Sequence, residues 1–508
     1  MLRLFIAGLV SGVLCLAQQT ISVVNAASQS GGIAPGSIVS IRQLKPPQII
    51  GPVDPNHVSV QVRPTGSAVS LDAPLLPAPF LSIWAQLPAS TPVGAADVTL
   101  TIDGQASALA RITVTRTNFG LFTQAGNGLG AANAQNQDTT VNKLTNPVLP
   151  GQYVTLWGTG LGSATSDEVT IQLGGIEIAP VYAGPAPALP GVDQINFQVP
   201  DAGTLDGCYV SVIVKASGIM SNEATIAKAS QPGPCNHPFG LSPADMATLD
   251  SGGQITFGLV SLRSDIGTAS GGPSAPSRME TAFADFVPED AFSIGLVAQP
   301  LIADESYFGC GPSRPFSVNA IPTLRLDKDA GDALTLTGPG RSVMLSRGIA
   351  PGLYQMIGNP FGTSLSDPPF FVPGPWRIEG PGGMAIGTFK ADLILPPTVH
   401  WTNRDNLATI DRRLDQVVIW DPTGYADSDV ATVSLGQILC RAPATTGKLT
   451  IPSSLLETLR LGLASLRLGI APRPNQRTLF SLPLTNGSSA QAFFDYSFSE
   501  TISSQLSQ

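Results

Sequence analysis

Between Val148 and Ala229 the chain alternates short β-branched and aromatic runs with clusters of glycine and proline, and this rhythm constrains the fold more than any other feature. Tyr153 to Trp157, Val169 to Leu173 and Tyr209 to Val214 carry the partial period-2 alternation of strands with one face on a core. The intervening Gly158-Thr159-Gly160-Leu161-Gly162, Gly174-Gly175 and Gly184-Pro185-Ala186-Pro187 supply the positive or fixed φ that tight reversals need. Strands and turns at this spacing predict a β-sandwich, with a β-barrel as the competing arrangement. No helical stripe competes with the pattern.

The order Pro150 to Gly162, then Gly174-Gly175, Tyr182 to Pro187, Gly191-Val192-Asp193-Gln194-Ile195-Asn196-Phe197-Gln198-Val199-Pro200 and Ser221 to Ala227 resembles a domain of secreted acidobacterial (Solibacter-type) proteins, itself similar to the immunoglobulin-like IPT/TIG sandwiches. The resemblance implies fold and export, and it brings no reaction or catalytic residue with it. A weaker likeness to the tails of such proteins covers about 100 residues from Val399-His400-Trp401-Thr402-Asn403 onward.

A degenerate copy of the same domain precedes this one. Pro35-Gly36 corresponds to Pro150-Gly151, Ile83 to Pro88 corresponds to Ile195 to Pro200, and Val98 to Ile102 corresponds to Tyr209 to Val214. This copy has Arg42 to Pro47 in place of the Gly-Thr-Gly-Leu-Gly turn, and Trp84 in place of Asn196.

The resulting expectation is an all-β chain of tandem immunoglobulin-like sandwiches with a few short helical turns. Residues 1–17 read as a signal peptide, 18–118 as the degenerate sandwich and 119–147 as a linker loop. Residues 148–235 form the second sandwich, 236–394 a β-rich domain and 395–508 a C-terminal sandwich-like domain.

In the third domain, strands are predicted at Gln254 to Leu262, Ala291 to Val297, Ala333 to Thr337 and Ser342 to Leu345. Ser242-Pro243 would open a short helix there. The Leu395-Pro396-Pro397 step marks the boundary, since proline removes ladder donors. In the last domain, strands are predicted at Asp415 to Trp420 and Val430 to Leu435, with a two-turn helix over Ser453 to Leu459.

The signal reading rests on Arg3, the apolar run Leu4 to Leu14 and the small residues near Ala17. Cys15 leaves a lipoprotein alternative open. No later segment of the sequence is long and apolar enough to span a bilayer, so the mature chain is expected to be secreted, extracellular or periplasmic. In that compartment Cys208, Cys235, Cys310 and Cys440 would pair, and four cysteines permit three connectivities. Cys208 with Cys235 is favoured because it ties an edge of the second sandwich to the tail leaving it, and Cys310 with Cys440 follows by elimination.

Chemistry is thinly represented. The three histidines, His57, His237 and His400, match no metal or nucleophile spacing, and no G-x-S-x-G elbow occurs. Gly126 to Gly130 and Gly158 to Gly162 mimic dinucleotide loops but lead back into strands rather than helices, so no cofactor is expected. Two acidic loops, Asp327-Lys328-Asp329-Ala330-Gly331-Asp332 and Asp421 with Asp427 and Asp429, could offer calcium its oxygen ligands. Neither has EF-hand spacing, and solvated turns are the preferred reading. A net charge of −9 with scattered basic residues argues against a nucleic-acid partner.

Trp84, Trp157, Trp376, Trp401 and Trp420 would line a sugar platform only if exposed, and their strand contexts favour core positions. The sequence therefore predicts a non-enzymatic secreted or surface-associated protein whose partner is an unidentified extracellular protein or glycan. An extracellular hydrolase or carbohydrate-binding accessory module within residues 236–508 is the alternative. The two part on whether carboxylates, or a histidine with a serine, meet in one pocket.

Overall fold

A computed structural model describes residues 20–43, 55–78, 82–107, 109–201, 203, 206–267, 276–298, 309–312, 328–348, 353–356, 363–472 and 477–508. The expected signal segment, Leu44 to Pro47 of the degenerate copy, and Asp327 lie outside the described residues.

The chain is all-β and multidomain. In the first sandwich, strands Ile21–Asn25, Ile38–Gln43, Ile83–Gln86 and Leu75–Leu76 form one sheet. The facing sheet is built on Val58–Pro64 and Gly94–Ile102. Val58–Pro64 alternates strictly: its buried Val58, Val60 and Val62 lie beside Val98 and Leu100 of the paired strand and share a core with Val39 and Ile41 of the other sheet. The second sandwich repeats the plan. Tyr153–Thr159 pairs with Asp193–Gln198, and Val169–Leu173 with Gly207–Ala216, around Leu156, Ile171, Phe197 and Val212.

The segment expected as a linker is part of this second core. Phe119, Leu121, Ala132 and Ala134 are buried in it, and Ala134–Asn136 pairs with Tyr153–Thr159. Asn142 finishes the attachment by donating to the Ala227 carbonyl and accepting from its N–H, at 2.8 and 2.7 Å. A run of Gly, Asn and Gln without apolar periodicity is thus ordered by side-chain hydrogen bonds to backbone.

Residues from Ile255 to Ser507 contribute to one 15-stranded sheet. Its centre is three long strands, Ile255–Gly267, Ser277–Glu289 and Ser489–Ser507, the first and last of which run parallel. Ser489–Ser507 forks: its first half pairs with Thr478–Pro483 and its second half with Gly462–Pro472. On the first side the sheet curls back until Ile386 bridges Leu484 and Phe389 stacks on Phe480, with ring centres 5.8 Å apart. A single apolar cluster runs from Val260 through Leu393, Leu395, Val399 and Trp401 to Leu506. The Leu395-Pro396-Pro397 step therefore parts neither two sheets nor two cores, because a strand near residue 500 pairs with one near residue 260.

The predicted strand at Ala291 to Val297 is a helix, Ala291–Ala298. A short apolar run reads equally as buried strand or helix. The decision here is local, because Asp290 caps the turn, its carboxylate accepting the Ser293 N–H at 2.8 Å. The helix Pro243–Asp250 starts where predicted, with Ser242 accepting the Asp245 N–H at 3.1 Å. Near the end of the chain only Ser453–Leu456 is helical, shorter than the predicted two turns. Two disulfides are present, Cys208 to Cys235 and Cys310 to Cys440. The second joins residues directly opposite each other in paired strands.

Candidate functional site

The structure moves most of the sequence's candidates into structural roles. Trp376, Trp401 and Trp420 are buried, and Trp84 is half-buried against Phe122 at 5.7 Å between ring centres. Trp157 is half-buried too. None of the five indoles forms an exposed platform.

His57 lies at the surface, 2.6 Å from Asp103. His237 is buried: Nδ1 accepts the Phe239 N–H, and Nε2 is 2.9 Å from the Tyr209 hydroxyl. Burial lowers its pKa to about 3, so the ring is neutral.

In each acidic loop one carboxylate is bound internally. Asp329 accepts from the Met384 and Gly331 N–H groups and pairs with Arg347 at 3.4 Å. Asp429 accepts from the Tyr496 hydroxyl and from the Ala426 N–H. Among the described residues no three His, Cys, Asp or Glu side chains are grouped to hold a metal.

Three of the sequence's candidates, His400, Trp401 and Asp421, meet in one place. His400, Trp401, Asp405, Asp421 and Glu500 line one cleft of about 560 Å³, together with Ile266, Arg278, Arg404 and Tyr425. The central strands provide its floor through Ile266, Arg278 and Glu500, and two loops, 397–405 and 421–425, provide its walls. The first loop is held because Trp401 bridges Trp420 and the Asn403 side chain clamps the neighbouring strand. That side chain donates to the Val417 carbonyl at 2.7 Å and accepts the Ile419 N–H at 2.9 Å. A short turn, Arg404–Leu407, then aims Arg404 at Glu500, 2.8 Å away.

The carboxylates differ in character. Burial raises the pKa of Glu500, against the opposing pull of Arg404 and the Trp401 N–H. Asp421 is held below the usual carboxylate range by hydrogen bonds from Thr423, the hydroxyl first and then the backbone N–H. Burial also raises the pKa of Tyr425, whose hydroxyl is sealed from solvent without a hydrogen-bond partner. The site was invisible in the sequence because its members come from strands and loops distant along the chain. Of its members the sequence had singled out His400, Trp401 and Asp421, none of them as part of one cleft.

The class this architecture defines is a multidomain all-β protein with a polar cleft in its largest sheet. No protein-family model and no curated protein matches the chain. Among solved structures it is similar to the SGBP-B protein of the Bacteroides ovatus mixed-linkage glucan utilization locus, in complex with a mixed-linkage heptasaccharide. The identity is 11%, over 39% of this chain and 43% of that one, with a TM-score of 0.20. The chain thus spans less than half the length of that protein. It is also similar to domains 5–6 of the S-layer protein SbsC (11% identity, 42% and 99% covered, TM-score 0.22) and to the Escherichia coli adhesin FdeC (13%, 72% and 93%, TM-score 0.14).

Proposed function

We propose that the chain is an exported, non-enzymatic binding protein that takes a glycan or another polyhydroxylated ligand in the His400–Glu500 cleft, with the two N-terminal sandwiches carrying that cleft away from whatever anchors the protein. The cleft carries the reading: it interleaves carboxylates, guanidinium groups and a histidine on a rigid floor, a donor and acceptor set suited to hydroxyls. Two disulfides suit an oxidising compartment and support export. The kinship to acidobacterial IPT/TIG-like sandwiches belongs to the same proposal. A glycan array on the mature protein tests it: binding to a defined glycan class, lost in Asp405→Ala and Arg278→Ala, is the expected result, and no binding to any sugar would remove the reading.

One observation favours a second reading. Glu500, with its raised pKa, and Asp421, with its lowered one, line the same cleft, and paired carboxylates pushed apart in this way are what glycoside hydrolysis needs. The Arg404 ion pair argues against Glu500 as a proton donor. Release of reducing ends from a bound glycan, abolished in Glu500→Gln, would establish the hydrolase; an intact glycan would dismiss it.

A further inference from the structure

Where the two N-terminal sandwiches meet, they leave a groove of about 490 Å³. The first sandwich contributes Gly36, Ser37, Gln86 and Ala89, and the second contributes Gly160, Gly162 and the segment from Pro185 to Asp193. The walls are largely proline, alanine, leucine and valine. Asp193 is the titratable side chain among the lining residues, which include no lysine, arginine or histidine. Its Oδ2 accepts the N–H groups of Gly160 and Leu161 at 2.7 and 2.8 Å, fixing the carboxylate at the groove wall. The sandwiches on either side are locked in place. Thr159 Oγ1 accepts the Ile38 N–H at 2.9 Å and donates to the Gly191 carbonyl at 2.6 Å, and Asn25 donates to the Asn118 and Thr159 carbonyls.

A carboxylate drawn out of water with two amide donors and no counter-cation among the described residues is under-compensated, and burial lifts its pKa to about 6. Such a group in an apolar groove has one unmet demand, a positive charge. The net charge of −9 draws cations toward the chain as a whole.

We propose that this groove binds an ammonium or guanidinium group carried on an apolar stem, with Asp193 as its counter-charge and the Pro- and Ala-lined walls holding the stem. A lysine or arginine side chain of a partner protein and a free alkylamine present the same chemistry. The site is separate from the His400–Glu500 cleft and does not depend on the glycan reading.

The test is titration of the full mature chain, followed by NMR or calorimetry, with N-acetyl-lysine N-methylamide, n-butylamine and the neutral N-acetyl-norleucine N-methylamide. Saturable binding of a cationic probe is expected, with at least tenfold weaker binding of the norleucine compound. Binding should also weaken about tenfold from pH 7 to pH 5, as a carboxylate titrating near pH 6 requires. Asp193→Asn, whose amide oxygen still accepts from Gly160 and Leu161, should abolish it. Ala89→Trp should obstruct the groove from the other sandwich without touching Asp193, which keeps the test valid if the first variant folds poorly. Preference for the lysine compound over butylamine assigns the site to a peptide, and the reverse assigns it to a small amine. Equal binding of the neutral probe, binding that survives both variants, or no binding of either cation overturns the proposal.

Discussion

The molecule has two joints built on opposite principles. The first sandwich meets the second through backbone: Gly160 and Gly162 lie at φ +106 and +59, and a Cβ there would fall 2.5 Å from the Asn118 carbonyl oxygen and 2.2 Å from that of Arg116. That closeness lets Asn25, Asn118 and Thr159 bridge the sandwiches with hydrogen bonds. The second sandwich meets the large sheet through oil. Phe239, Phe257 and Phe493 stack with ring centres 5.2 to 5.7 Å apart, joined by Leu144, Tyr209, Met246 and Ile294. The Cys208–Cys235 bridge and Asp250, which accepts from the Leu144 and Thr145 N–H groups, complete that joint. A polar joint gives a defined angle for little apolar area, whereas an apolar joint makes two units fold as one.

The contrast can be broken most severely at the second joint. Phe239→Ala should cost about 3–5 kcal/mol by cavity formation in a fully buried site. Chemical denaturation should show the second sandwich and the large sheet destabilised together, with the first sandwich unaffected. Replacing both Cys208 and Cys235 by alanine should cost about 3 kcal/mol through restored chain entropy, seen as a lower midpoint on which reductant then acts only through Cys310–Cys440.

Acidity separates the joints by sign. His237 binds its proton less tightly when folded, at about 3 against 6.5, so the unfolded chain holds more protons between those values. Stability at the second joint is therefore lost as pH falls below 6.5, by up to about 1.4 kcal/mol per unit. Asp193 binds its proton more tightly when folded, at about 6 against 3.8, so its contribution is present at low pH and lost as pH rises from about 4 to 6. Thermal unfolding from pH 4 to 7 should lose the first slope in His237→Gln and the second in Asp193→Asn. The smallest effect belongs to Asn25→Ala, about 1–2 kcal/mol from unpaired amides at Ala27 and Ser28. Its clearest readout is a changed angle between the N-terminal sandwiches in small-angle scattering.

Legibility in the sequence followed the range of the interactions. Val169–Leu173 was read to the residue because alternation and flanking turns act within a few positions. The Ala291–Ala298 helix was misread because its apolar run carries no period, and the Asp290 cap decides the matter. The Gly158 to Gly162 run was recognised as a turn, yet its purpose, admitting a neighbouring domain's carbonyls, needed the neighbour to be seen. The cleft was hidden for the same reason. Glu500 gives no local sign of meeting His400, and only the pairing of Ser489–Ser507 with Ile255–Gly267 brings that strand beside Ile266 and Arg278.

That pairing also sets a timetable. Phe257 waits for a partner about 230 residues further along, so the central seam of the large sheet must assemble after nearly all of that unit has emerged, a slow and strongly non-local step. Until then Ile255–Gly267 presents a bare, aggregation-prone margin. Any shortened chain that ends before Ser489 would keep that margin permanently, and its natural fate is the inclusion body.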